Sequence, residues 1–120
     1  MSTAPTILLK RAYEPASPSD GLRILVDRLW PRGVSKEKAA LSEWMKEIAP
    51  SDELRKWFNH DPARWDEFRS RYLHELESHS EQLTHLRQLA KAGRVTLIYG
   101  AKDQEHNEAV VLRDVLCPSC

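Results

Sequence analysis

Hydrophobic residues in this chain occur either in short continuous runs or at helical spacing. The short runs are Ile7–Leu9, Arg23–Val26 and Val95–Tyr99, and the last is rich in β-branched residues. Short apolar runs bounded by turn residues are typical of strands that are covered on both faces, as in parallel sheets. We therefore predict a buried, mostly parallel sheet of three or four strands.

Helical spacing is clearest at Trp65, Phe68, Tyr72 and Leu76, which recur every three or four residues. Such a stripe predicts an amphipathic helix that packs against a core. Other predicted helices start at capping residues or end at a glycine. They follow Ser35, follow Ser51, begin at Asp61 with Pro62 in the first helical position, run from Ser80 to Gly93, and run from Ala109 to Leu116.

The segment from Leu41 to Ile48 is ambiguous, because its apolar residues have helical spacing but Ala49 and Pro50 end it abruptly. Strands that alternate with helices predict an α/β protein, here a small Rossmann-like layered fold. We expect one domain over residues 1–120, with 1–6 and 117–120 as flexible tails.

Composition favours a globular chain, since 41% of its 120 residues are hydrophobic and 30% are charged. Its apolar runs are too short to cross a bilayer, and Met1–Pro5 does not resemble the start of a secretory signal. These features predict a cytoplasmic protein without a membrane partner. The sequence leaves the oligomeric state open.

Net charge is zero, but the first 40 residues contain seven Lys and Arg against four Asp and Glu. A protein that binds DNA without sequence preference usually has a larger basic excess, because it neutralises phosphates. The imbalance favours a local site for a small anionic metabolite or nucleotide, with nucleic acid as the weaker expectation.

The segment Asp27–Gly33 is the predicted functional surface, because ligands of open α/β sheets bind beyond the carboxyl ends of the strands. If the second and last strands run parallel, this segment lies beside Gly100–Asn107. Arginine suits phosphate or carboxylate, which its planar guanidinium can bind through two hydrogen bonds. The predicted ligand-binding residues are Asp27, Arg28, Trp30, Arg32, Tyr99, Asp103 and Asn107, with Lys36 and Lys102 nearby.

Other interpretations of this segment stay open. Asp27 and Arg28 are alternatively structural ion-pair partners, and Trp30 alternatively closes the edge of the core. The catalytic residues are unknown: Asp27 or Asp103 could act as acid or base, with Tyr99 as a donor. A nucleic-acid- or protein-interaction module is the alternative function, with the aromatic residues near positions 44–68 as a base-stacking platform, although such a stripe is more often core.

Cofactor and metal sites are not predicted. The chain has no glycine-rich phosphate or dinucleotide loop, and its five histidines lack the spacing that places two ligands on one helix face. Cys117 and Cys120 have the spacing of a redox pair but follow a helix instead of starting one, so we expect an inert or reversibly oxidised tail.

Four motifs resemble the YeaO-like bacterial proteins, a family of unknown function. They are Asp27–Gly33, Ala49–Ser51, Leu54–Pro62, and Leu97–Tyr99 with the following Asp103 and Asn107. The resemblance extends from about Leu8 to Leu116 and implies a single α/β domain, but no activity. Longer proteins of the broader group are similar, with a Cys-x-Glu and then a Cys-His-Arg segment after the last strand. The matching positions here are Tyr99 and Ala101, then Asn107, Glu108 and Ala109, so the resemblance implies no thiol nucleophile in this chain.

Overall fold

A computed structural model describes residues 7–117 of the chain. Within them, one sheet of four parallel strands has the order β1-β4-β2-β3. The strands are β1 (Ile7–Arg11), β2 (Leu22–Leu25), β3 (Glu43–Trp44) and β4 (Val95–Tyr99). All five residues of the apolar β4 are buried, because this strand lies between β1 and β2. The predicted α/β fold with a parallel sheet is confirmed.

Five α-helices accompany the sheet in the described part of the chain. They are α1 (Lys36–Ala39), α2 (Asp52–Phe58), α3 (Trp65–Leu76), α4 (Ser80–Ala92) and α5 (Glu108–Leu116). Ser35 and Ser51 accept hydrogen bonds from backbone N–H groups in the first turns of α1 and α2, as their positions predicted. Asp61 caps a 3-10 turn, Pro62–Arg64, which leads directly into α3.

The ambiguous segment Leu41–Ile48 contains the short edge strand β3 and a 3-10 turn, Lys46–Ile48. Its backbone pairs with the free edge of β2, where the Met45 N–H donates to the Leu25 carbonyl over 2.9 Å. The Trp44 indole N–H also donates to the Asp27 carbonyl over 2.8 Å. Tertiary hydrogen bonds to β2 therefore outweigh the local helical pattern.

The main core lies between one face of the sheet and helices α2–α5. Phe58 and Phe68 are buried there with ring centroids 4.3 Å apart, while Trp57 and Trp65 pack against the same cluster with part of their surfaces exposed. The helical aromatic stripe is therefore core, as its spacing favoured. Trp44 is the exception, because it belongs to β3 and packs in a smaller cluster with Leu25 and Ile98.

Tyr72 is fully buried, and its hydroxyl donates a 2.6 Å hydrogen bond to the Ile48 carbonyl. We expect Tyr72→Phe to lower the free energy of unfolding by about 1–2 kcal/mol, because the buried carbonyl loses its donor. Chemical denaturation measures this change. Tyr13→Phe is the matched control, since its hydroxyl donates to the Arg32 carbonyl at an exposed site, and equal losses in the two variants would contradict the expectation.

The opposite face of the sheet carries a buried ionic cluster of Lys10, Asp20 and Arg23. Asp20 lies 2.6 Å from the Arg23 guanidinium and 3.0 Å from the Lys10 ammonium. The next residue is Gly21, with φ of +66°, and an added Cβ would lie 2.2 Å from the Arg94 carbonyl oxygen. Only glycine fits this turn, which brings the Asp20 loop onto the sheet.

Most of the two predicted tails, residues 1–6 and 118–120, lies outside the described residues, and Cys120 is among them. Cys117 is buried at the end of α5, where its N–H donates to the Arg113 carbonyl. Between residues 7 and 117, no helix is long and apolar enough to cross a membrane.

Candidate functional site

The carboxyl ends of β2 and β4 lie side by side, as their parallel pairing requires. Asp27 follows β2, and its Oδ2 accepts a 2.7 Å hydrogen bond from the Gly100 N–H just beyond β4. A Cβ at position 100 would lie 3.0 Å from that carboxylate oxygen. The absence of a side chain at Gly100 therefore permits this close approach, and the hydrogen bond joins the two loops that were predicted to be neighbours.

A cavity of about 650 Å³ opens beside this hydrogen bond, and we call it the strand-end cavity. Its volume lies in the range of pockets that hold small molecules. It is lined by Asp27, Arg28, Leu29, Trp30, Pro31, Ala49, Pro50, Arg55, His60, Gly100, Ala101, Lys102, Asp103 and Glu108. The wall thus combines an apolar side, mostly from residues 29–31 and 49–50, with charged groups of both signs.

Four of the predicted binding residues line this cavity: Asp27, Arg28, Trp30 and Asp103. The structure does not place the other three on its wall. Arg32 is exposed outside it, Tyr99 is buried in the main core, and Asn107 is buried as the N-cap of α5. Asn107 accepts from the Val110 N–H, a capping role that sequence spacing does not distinguish from ligand binding.

Asp27 is the most perturbed acid on the cavity wall. Burial raises its pKa to about 6, although the Gly100 N–H and the positive charge of Arg55 both act to lower it. Removal of the carboxylate from water disfavours the charged form more strongly than these two partners favour it. Asp27 therefore changes its protonation state within the range of mildly acidic to neutral pH.

Arg28 and Trp30 are held in place by backbone carbonyls. Arg28 donates from Nε to the Pro50 carbonyl over 3.1 Å and from a terminal nitrogen to the Ala49 carbonyl over 3.3 Å. The Trp30 indole N–H donates to the Val34 carbonyl over 2.7 Å. These contacts fix the apolar side of the cavity, and part of the donor capacity of Arg28 is already engaged there.

Asp103 organises the loop that follows β4. Its carboxylate accepts hydrogen bonds from the backbone N–H groups of Glu105 and His106, and its other oxygen lies 2.8 Å from the His106 ring. The backbone N–H of Glu105 and the His106 ring hold the pKa of Asp103 below its usual value. Asp103 therefore reaches the cavity as a carboxylate that already has several partners.

Sequence reasoning missed Arg55 and Glu108 as candidates. The Nε of Arg55 and Oε1 of Glu108 are buried without a hydrogen-bond partner, and Arg23 holds the third such side-chain atom among residues 7–117. Two of the three therefore belong to residues of the cavity wall, and unsatisfied buried polar groups are rare in folded proteins. The one sequence signal that could have indicated Glu108 is its position next to the Asn107 cap. Arg55 has no such signal, because it is one basic residue of an ordinary amphipathic helix.

His60 also lines the cavity, next to the turn that precedes Asp61. His106 lies outside the wall, with its ring packed edge-on against Trp65 at 5.2 Å. No group of three or more His, Cys, Asp or Glu residues within 7–117 is arranged to hold a metal ion.

The sequence over almost its whole length matches a known family model. That model, described as the inactive DUF488-N3 subclade, matches residues 6–119. The chain belongs to this family. Among its relatives, "Uncharacterized protein YeaO" of Escherichia coli is 51% identical over 110 residues, which span 92% of this chain and 96% of that protein. The YeaO-like resemblance of the four motifs is thereby confirmed.

Mycobacterial proteins are also similar to this chain. "Uncharacterized protein Rv3073c" of Mycobacterium tuberculosis is 42% identical over 110 residues, and so is a Mycobacterium bovis protein; in each case 92% of both chains is covered. No solved structure matches the chain. The relatives therefore support the family, and the inference of a function rests on the cavity.

Proposed function

We propose that this protein binds a small anionic molecule, a phosphate-containing metabolite or nucleotide, in the strand-end cavity. The observation that carries the proposal is Arg55, whose buried Nε has no partner among residues 7–117 although its side chain lines the cavity. One terminal nitrogen of Arg55 already lies 3.4 Å from the exposed Asp52 carboxylate. An unsatisfied buried donor costs about 1–3 kcal/mol, so a ligand that accepts from Nε would relieve that cost.

Two further cations support an anionic ligand. Lys102 is exposed on the cavity wall, and Arg28 keeps donors beyond the two atoms that contact carbonyls. A lysine contributes a mobile charge, while an arginine contributes a planar set of donors. Together with Arg55 they give the wall three cationic side chains, beside the acidic Asp27, Asp103 and Glu108.

The proposal assigns binding and no reaction. The family is described as inactive, and the positions that match the cysteines of the longer proteins are Tyr99 and Asn107 here, which carry no thiol. A binding or sensing role in the bacterial cytoplasm is the form of this proposal that fits those features. Phe58 and Phe68 are buried, so these two rings are not available to the base-stacking platform of the nucleic-acid alternative.

We expect Arg55→Ala to weaken anion binding at least about tenfold, because a charge-assisted hydrogen bond contributes about 1.5–3 kcal/mol. Isothermal titration calorimetry with inorganic phosphate, ribose 5-phosphate and nucleoside monophosphates measures this. Arg87→Ala is the matched control, since Arg87 is exposed on α4 outside the cavity, and it should bind as the wild type does.

Equal affinities of the Arg55→Ala variant and the wild type would contradict the site. A single-stranded oligonucleotide that binds at low salt, with an affinity that falls steeply as salt rises, would favour the nucleic-acid alternative if the monophosphates did not bind. Fractionation of cells that express the tagged full chain tests the cytoplasmic location.

A further inference from the structure

Glu108 indicates a second property of the ligand. Besides a negative charge, the ligand should carry hydrogen-bond donors. Its Oε1 is buried and accepts no hydrogen bond from the described residues, although the side chain lines the same cavity as Arg55. An anion alone would worsen this environment, because it would place like charge beside an unpaired carboxylate. A ligand that also presents N–H donors would satisfy the carboxylate instead.

A capping role does not account for Glu108. It is the first residue of α5, where a carboxylate interacts favourably with the helix dipole. The cap itself is provided by Asn107, whose side chain accepts from the Val110 N–H and donates to the Asp103 carbonyl. Since the side-chain cap comes from Asn107, the Glu108 carboxylate has no capping hydrogen bond to give up to a ligand.

The other two acids on the wall are engaged. Asp27 accepts from the Gly100 N–H, and Asp103 accepts from Glu105 and the His106 ring. Among the described residues, Glu108 is therefore the wall carboxylate that has a buried oxygen without a hydrogen-bond partner. The opposite signs of Glu108 and Arg55 indicate a ligand with a hydrogen-bond-donating part and an anionic part.

The apolar side of the cavity further limits the chemical class of the ligand. Leu29 is 57% exposed, and Trp30, Pro31 and Pro50 line the cavity beside it. An exposed leucine next to an anchored tryptophan and prolines offers a surface for a planar ring. The cavity of about 650 Å³ has room for a base together with a sugar phosphate.

We propose that the ligand is a nucleotide whose base presents N–H donors to Glu108 while its phosphate contacts Arg55, with guanine as the preferred base. Guanine carries two adjacent N–H donors, which match the two oxygens of one carboxylate. This inference rests on the proposed anion site and specifies which anion it selects.

The test compares GMP, AMP, phosphoserine and ribose 5-phosphate by calorimetry on the full chain and on Glu108→Gln. We expect GMP to bind the wild type at least about tenfold more tightly than ribose 5-phosphate, which has no N–H donor. Glu108→Gln should remove this preference, because GMP loses the carboxylate that accepts from its base, whereas ribose 5-phosphate should bind at least as tightly as before since the like charge is gone. Glu105→Gln is the matched control, because Glu105 is exposed in the same loop but outside the cavity wall.

Three outcomes would overturn the inference while the anion site stands: equal affinities for GMP and ribose 5-phosphate, a GMP preference that survives Glu108→Gln, or tighter binding of phosphoserine than of GMP. The last would indicate an amino-acid phosphate as the ligand. If no phosphate compound binds, or if Arg55→Ala binds all of them as the wild type does, the proposed function itself fails. Circular dichroism of each variant checks that it is folded.

Discussion

Asp20→Ala should lower the free energy of unfolding by about 3–5 kcal/mol, the range for breaking a buried ion pair from one side. The Arg23 side chain is only 4% exposed, and its closest ionic partner is Asp20 at 2.6 Å. Without that carboxylate, a buried guanidinium charge would have no counter-charge, and the nearby Lys10 ammonium would repel it. Urea denaturation at pH 7 measures the loss.

Two further variants show whether the stability loss in Asp20→Ala comes from the ionic cluster or from the removal of any carboxylate. Asp66→Ala removes an exposed acid from the first turn of α3 and should change the stability by less than about 1 kcal/mol. The double variant Asp20→Ala/Arg23→Met removes both buried charges and should recover much of the loss. A loss below 1 kcal/mol for Asp20→Ala alone would show that the cluster contributes little.

Asp20 also makes the free energy of unfolding depend on pH in the acidic range. Burial alone would raise its pKa, but the hydrogen bonds from Lys10, Ser17 and Arg23 outweigh that effect and hold the pKa below its ordinary value. A carboxyl group with a lowered pKa contributes stability that is present above its unfolded-state pKa and is lost as the pH falls through its folded-state pKa. The stability that Asp20 contributes is therefore lost at a lower pH than the pH range in which Asp27 titrates.

Asp27→Asn should raise the free energy of unfolding at pH 7.5 by about 2 kcal/mol. The pKa of Asp27 is raised from 3.8 to about 6 by burial, so at neutral pH folding holds an ionised carboxylate in a place that favours the neutral form. The amide oxygen of asparagine can still accept from the Gly100 N–H, which keeps the link between β2 and β4.

The stability difference between the wild type and Asp27→Asn should also depend on pH, and the raised pKa of Asp27 determines the direction of that dependence. A group with a raised folded-state pKa contributes stability that is fully present below its unfolded-state pKa and is lost as the pH rises through its folded-state pKa. The wild type should therefore lose stability relative to Asp27→Asn between about pH 4 and pH 7. Denaturation curves across that interval measure the difference, with exposed Asp66→Asn as control, and a constant difference would contradict the raised pKa of Asp27.

Much of the fold was predictable because its signals are local. The apolar runs indicated β1, β2 and β4, and Ser35 and Ser51 marked helix starts by their own hydrogen-bonding preferences. The edge strand β3 was not predictable, because its residues have helical spacing. Its conformation comes from pairing with β2, which only the tertiary structure provides.

The candidate site was predictable where strand order determined it and unpredictable elsewhere. Parallel pairing of β2 and β4 was enough to bring Asp27 beside the loop after Tyr99. Arg55 of α2 lines the cavity, whereas its neighbour Lys56, in the same sequence context, is exposed outside the wall. Nothing in the spacing of one helix indicates which of two adjacent basic residues faces a cavity formed by other elements.

Nuclear magnetic resonance on ¹⁵N-labelled protein tests the central claim, an anion in the strand-end cavity, most directly. Titration with ribose 5-phosphate should shift the Gly100 and Lys102 amide resonances and the Arg55 Nε–H resonance in a saturable way, while Arg87 on α4 stays unchanged. The same titration of Arg55→Ala should need at least about tenfold more ligand to reach half-saturation. Saturable shifts centred away from the cavity, or none at millimolar ligand, would contradict the account.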